Sequence, residues 1–230
     1  MNPIRVLALD GHGVVYYRNR EVPEAVVDAL HRAGKLAVPR EVALARYLAL
    51  QDRVFSRELE YREMLREFVR EVGWDSPSAP EELHRLIQKY SADIVVDPDL
   101  VPTLEALRRK GIKVGMLTNS IHPAATKLSW LREKGVAQLF DLIFSSVEAG
   151  AKKPAPEIFR SFARTMGVPP EEVVFVGHDP AEVQGAKRAG LRTVCLRCRC
   201  AEADYTIDRL NQLLSLPCWP SAAGGSKGER

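Results

Sequence analysis

Five short segments of the chain are apolar almost without interruption: Ile4–Leu9, Ile112–Leu117, Leu142–Phe144, Val173–Val176 and Thr193–Leu196. Runs apolar on both faces suit parallel strands covered by helices on either side. Between them the apolar positions recur at helical spacing, over Val101–Lys110, Ala124–Lys134, Pro156–Met166 and Ala181–Ala189. Each of these segments runs into a glycine, at 111, 135, 167 and 190, the residue that ends a helix in the left-handed conformation. The alternation predicts a doubly wound α/β fold built on a parallel sheet.

One stretch interrupts the alternation. From about Val22 to Tyr90 the text is amphipathic and helical, as in VPEAVVDALHRAG, REVALARYLALQDRVF, SRELEYREMLREFVREVG and EELHRLIQKY, with Pro77 and Pro80 breaking it. Pro98 and Pro102 mark the return to the strand–helix pattern. The expected organisation is an α/β core over 1–16 and 97–216, an inserted helical subdomain over 17–96, and a disordered tail over 217–230, where SAAGGSKGER lacks apolar residues to bury.

The 230 residues are enough for one core plus a subdomain. Charge changes the picture only by exclusion. A net charge of +3 from 33 basic and 30 acidic side chains, with the two signs alternating along the helices, describes solvated faces and not a nucleic-acid-binding stripe. No apolar run approaches the roughly 20 residues of a membrane span. The N-terminus MNPIRVLALD lacks the regions of a secretory signal, so a cytoplasmic location is expected. Four cysteines do not make a disulfide framework, and reduced thiols are expected. Within CLRCRC, Cys195, Cys198 and Cys200, with Cys218 further on, admit either a zinc site or ordinary buried thiols.

In open parallel sheets, ligands bind beyond the carboxyl ends of the strands. Those ends carry Asp10-Gly11-His12-Gly13, Thr118-Asn119-Ser120, the Glu148-to-Lys153 segment with its AKKP, and Gly177-His178-Asp179. Carboxylates, a hydroxyl, an amide, lysines and two imidazoles thus converge on one edge, and the insert leaves from that edge. Tyr16, Tyr17, Arg18, Tyr47, Phe55 and Tyr61 are placed to face it, although Tyr47 and Phe55 also suit the insert's own core. His122 reads as a loop residue before Pro123, and His31 and His84 as surface or boundary residues.

These segments together resemble the haloacid dehalogenase superfamily. VLALDGHGVV is similar to its first motif, VGMLTNS to its second, GAKKPAPEIF to its third and VVFVGHDPAEVQGAKRAG to its fourth, in order, with the insert where that family has its cap. The resemblance implies a hydrolase acting on a small phosphorylated metabolite. Asp10 would be the nucleophile that forms an aspartyl intermediate, Thr118 and Asn119 would hold the phosphate, and Lys153 would neutralise charge. It also implies a divalent metal, magnesium, near Asp10, residue 12 and an acid of the fourth motif. Here the sequence departs from the family twice, since His12 stands at the general-acid position and His178 at the principal metal-binding acid. An imidazole transfers protons near neutral pH. The resulting set of Asp10, His12, His178 and Asp179 would hold either magnesium weakly or a transition metal. Two other outcomes stay open: a binding protein that has lost its metal site, and a metal-independent hydrolase attacking carbon.

Overall fold

The computed structural model describes residues 3–220. Six parallel strands lie in the order β5–β4–β1–β6–β7–β8, comprising β1 (Val6–Asp10), β4 (Lys113–Thr118), β5 (Leu142–Ser145), β6 (Val173–Gly177), β7 (Arg192–Leu196) and β8 (Tyr205–Ile207). The central strand β1 is buried at every position, as its unbroken apolar text requires. Alternate residues serve opposite faces. Leu7 and Leu9 pack with α5 (Leu100–Arg109) and α6 (Ala124–Glu133), whereas Val6 and Ala8 pack with α8 (Pro156–Thr165) and α9 (Pro180–Arg188). This is the expected doubly wound arrangement. The four glycines expected to stop helices all take positive φ.

The insert forms its own hydrophobic cluster. Helices α1 (Val22–Arg32), α2 (Arg40–Phe55), α3 (Tyr61–Glu71) and α4 (Ala79–Ala92) bury Tyr47, Phe68, Met64 and Leu83 among themselves. Ile121, from the loop after β4, joins this cluster and ties helical subdomain and sheet together. The chain crosses between the two through a small antiparallel ribbon, β2 (Tyr16–Tyr17) with β3 (Val95–Val96). The Tyr17 hydroxyl donates to Asp97 at 2.7 Å, and Arg197 from the opposite edge of the sheet reaches the same carboxylate at 3.0 Å.

Three expectations require correction. The last strand, β8, and the β2–β3 ribbon carry no long apolar run, so periodicity missed them; they are fixed by pairing with β7 and with each other. Residues 217–220, assigned to a disordered tail, are ordered against the core. Trp219 is buried, and its indole N–H donates to the carbonyl of Leu213 at 2.5 Å. Residues 221–230 lie outside the described residues. The cysteines are not all free either, because Cys195 and Cys198 are joined. Cys195 lies next to the end of β7 and Cys198 follows in the bend after it, so their Cα atoms stand 5.6 Å apart, within disulfide reach. That bond withdraws two thiols from any zinc set, leaving Cys200 on the surface and Cys218 buried.

Candidate active site

Four chain segments bring a charged cluster to the carboxyl ends of β1, β4 and β6. Asp10 is the last residue of β1, and its side chain is nearly inaccessible. Lys153 arrives from the turn before α8 and donates to Asp10 Oδ1 at 2.5 Å and to Glu182 Oε2 at 2.6 Å. His178, just past β6, places Nδ1 3.0 Å from Asp10 Oδ2. Both Asp10 oxygens are therefore held by nitrogen groups.

Local sequence explains how each group is held. Asn119 grips the lysine turn from both sides, donating through Nδ2 to the Lys153 carbonyl at 3.0 Å and accepting through Oδ1 from the Lys153 N–H at 2.8 Å. Gly185 lets α9 lie against this turn, because a Cβ there would stand 2.1 Å from the Pro154 carbonyl oxygen. Gly13 adopts φ +81°, and a Cβ at that position would meet the His178 ring at 2.7 Å. Only glycine satisfies both the turn and the ring behind it.

The electrostatics follow from these contacts. Burial alone would raise the Asp10 carboxyl, but Lys153 and His178 outweigh it and hold Asp10 below the usual carboxylate range. The hydrogen bond to Asp10 raises His178, favouring the imidazolium. Burial pushes Lys153 down, yet the two carboxylates around it overcome that and keep it cationic. Glu182, the second acid sharing one lysine, is pushed by burial up to about 7. Two carboxylates on one ammonium cannot both ionise freely. The site thus sets the Lys153 ammonium and an imidazole whose charged form is favoured around one firm anion, Asp10.

The expected site residues separate into two groups. Asp10, Lys153 and His178 meet, and Thr118 lies beside them, buried at the end of β4. Asn119 is committed to the lysine turn, which makes it a positioning residue for Lys153. His12 is turned away; its ring centroid is 6.2 Å from that of His178, and Nε2 faces Glu21 Oε1 at 3.4 Å. Burial lowers its pKa, so its imidazole is neutral. Asp179 is exposed and serves as the N-cap of α9, accepting from the Ala181 N–H at 2.8 Å. An acid at this position opens a helix, and capping competes with metal binding.

The expected magnesium or transition-metal site is not assembled by these donors. Asp10 is occupied by Lys153 and His178, Glu182 leans on Lys153, and Asp179 caps a helix. Among the described residues, no group of three or more His, Cys, Asp or Glu side chains converges as a metal would require. A hard divalent ion asks for several oxygen ligands, and the residue nearest the nucleophile's second oxygen is an imidazole.

In front of the cluster, beneath α2, lies a cavity of about 350 Å³. Thr118, Asn119 and His12 line it at the sheet, and Leu44, Leu48 and Phe55 line it from the helical subdomain. Phe55 is thus partly a cavity residue, while Tyr47 is wholly within the subdomain core. Tyr61 instead meets His84, and His31 is exposed. His122 is no simple loop residue, since it is buried between Ser91 and Trp130. The sequence reading missed Lys127 altogether. Lys127, Trp130 and Leu131 are the buried residues of α6, so a lysine on the apolar stripe was the available signal.

Residues 4–190 match the haloacid dehalogenase-like hydrolase family. A glyceraldehyde 3-phosphate phosphatase of Methanopyrus kandleri is 35% identical over 192 residues, covering 75% of this chain and 81% of that protein. A phosphoglycolate phosphatase of Salmonella typhimurium is 28% identical over 233 residues, covering 92% of this chain and 91% of that one. Among solved structures, a 2-haloacid dehalogenase from Pseudomonas syringae has the same fold, with a TM-score of 0.71 at 24% identity over 92% of this chain and 97% of its own. With its strand order and this match over most of its length, the chain belongs to the haloacid dehalogenase-like hydrolases.

Proposed function

We propose that the protein hydrolyses a small phosphorylated metabolite through an aspartyl intermediate on Asp10, using Lys153 and His178 as the cations that a metal would otherwise supply. The observation that carries this reading is the arrangement at Asp10: a buried carboxylate with the Lys153 ammonium on one oxygen and the His178 imidazole on the other. The Asp10 carboxylate attacks phosphorus as the ester P–O bond breaks, and the departing alkoxide takes its proton from solvent water. Lys153 and the His178 imidazolium offset the negative charge of two anions brought together. Thr118 offers a hydroxyl to the phosphoryl oxygens. Water then cleaves the aspartyl phosphate, and His12, neutral and on the cavity wall, accepts its proton. The named phosphatase relatives support a phosphate ester as the substrate class.

Hydrolysis of an aryl phosphate tests this, because its phenolate leaves without needing a proton. Turnover should survive chelator treatment, vanish in Asp10→Asn, and leave a phosphoaspartate detectable by mass after acid quench. Strict dependence on added magnesium would refute the metal-free reading, and normal turnover by Asp10→Asn would refute the nucleophile.

A second reading has one observation in its favour. The nitrogen-rich surroundings of Asp10 also suit attack on carbon, which needs no metal. Halide release from 2-chloropropionate, without phosphatase activity, would select it.

A further inference from the structure

The cavity lining carries two chemically different sets of polar groups. Thr118 and Asn119 adjoin the Asp10 cluster; Lys127, Tyr16 and Arg18 supply a second, cationic group on the same wall, the Tyr16 hydroxyl and Thr118 Oγ1 both lying beside Gly11. Lys127 is only 4% exposed. Its ammonium donates to the Tyr16 hydroxyl at 2.7 Å and sits 4.9 Å from the Trp130 ring centre. An ammonium has three N–H groups, and one is used. No carboxylate pairs with Lys127 among the described residues. Arg18 stacks 5.0 Å over the Tyr16 ring and donates through Nε and Nη2 to the Ser91 carbonyl at 3.2 and 2.9 Å. It too has no carboxylate partner there.

A buried cation without a counter-ion lowers stability, so an occupant that repays it is the economical explanation. The one carboxylate whose field reaches Lys127, Asp10, is already held by Lys153 and His178. Burial drives His122 down to about 3, leaving it neutral. The carboxylates on the cavity rim, Glu21 and Glu24, are exposed on and before the first turn of α1, and Glu21 faces His12. Lys127 is itself lowered by burial, a penalty that an anion beside it would relieve. Tyr16 is raised by burial, but Lys127 and Arg18 bring it lower overall, which reports the same unbalanced positive field.

We infer that Lys127 and Arg18 form a second anion subsite, which binds a carboxylate on the leaving portion of the substrate while its phosphoryl group faces Asp10. The preferred substrates are then short phosphoesters with an anion at each end. The inference rests on the phosphoester reading above, and adds to it which residues choose the substrate. A cavity of about 350 Å³ accommodates a molecule of this size.

Two non-hydrolysable ligands of similar shape test it by calorimetry: phosphonoacetate, which carries the carboxylate, and ethylphosphonate, which carries a methyl group instead. Phosphonoacetate should bind at least about tenfold tighter to the wild-type protein, a difference of roughly 1.4 kcal/mol. Lys127→Met and Arg18→Gln should each shrink that ratio towards one. Should Lys127→Met fail to fold, Arg18→Gln carries the test alone. Equal affinity for the two ligands, no binding of phosphonoacetate, or an unchanged ratio in the folded variants would overturn the subsite. Aryl phosphate turnover on the same samples keeps the two readings apart. Turnover without a carboxylate preference removes only the subsite, and the preference without turnover removes only the hydrolase.

Discussion

Two buried lysines within one cleft are treated in opposite ways by the fold. Lys153 is clamped between Asp10 and Glu182 and is part of a nearly balanced charge set. Lys127 has the Tyr16 phenol and the Trp130 ring beside it and no carboxylate in contact among the described residues. The first arrangement is complete within the protein, while the second has a charge left over. A buried ion pair is costly to break because one partner is stranded, whereas an unpaired buried cation is costly to keep. The difference separates a group that organises the nucleophile from a group that awaits something from outside.

The sharpest way to break this comparison is at the nucleophile. Asp10→Asn should lower aryl phosphate turnover by roughly 10⁴-fold or more, since loss of an attacking group removes the covalent route. A loss of only a few-fold in steady-state assays would place the chemistry elsewhere.

The two lysines themselves come next. Lys153→Met strands two carboxylates and should cost about 3–5 kcal/mol of stability in denaturant unfolding. Lys127→Met should stay within about 1 kcal/mol of wild type, since it loses one hydrogen bond but also relieves an unpaired charge. Equal and large losses in both variants would show that Lys127 is structural and would erase the distinction.

Gly13→Ala has a smaller effect confined to one side of the site. The positive φ alone costs about 1 kcal/mol, and the new Cβ would collide with the His178 ring. Turnover should fall along with stability, while the affinity ratio set at Lys127 stays as it was. An unchanged enzyme would mean that His178 is free to move away without consequence.

The smallest effect is a slope. Glu182 has its pKa raised from its ordinary 4.5 to about 7, so the folded protein holds a proton that the unfolded chain has released. Its contribution to stability is complete below 4.5 and is lost as pH rises towards about 7. His178, also raised, adds a contribution of the same sign, present below its ordinary value and lost as pH climbs through the raised one. Glu182→Gln should therefore flatten the fall in unfolding free energy across that range. A slope unchanged by the substitution would mean that Lys153 keeps Glu182 ionised throughout.

The chain's own text was enough for the doubly wound fold, because strands buried on both faces leave uninterrupted apolar runs and helices between them leave spaced ones. It was also enough to gather Asp10, Lys153 and His178, since each sits at the end of a strand or in the turn that follows one. Position along the chain, however, does not fix side-chain direction. Asp179 and Glu182 both lie near the start of α9, yet one caps the helix and the other reaches Lys153. His12 follows the nucleophile by two residues and turns to Glu21 instead. The strands that pair by register alone, β2, β3 and β8, were hidden for a similar reason, as short segments have no periodicity to read. Lys127 shows the limit most clearly. A lysine on a helix of ordinary composition becomes an unbalanced charge only when Tyr16, Trp130 and Arg18, brought from β2, its own helix and the start of the helical subdomain, close around it without an acid. Which elements form is written locally in hydrophobic spacing, but whether a charge finds its partner depends on distances between segments far apart in the chain, and these exist only in the folded protein.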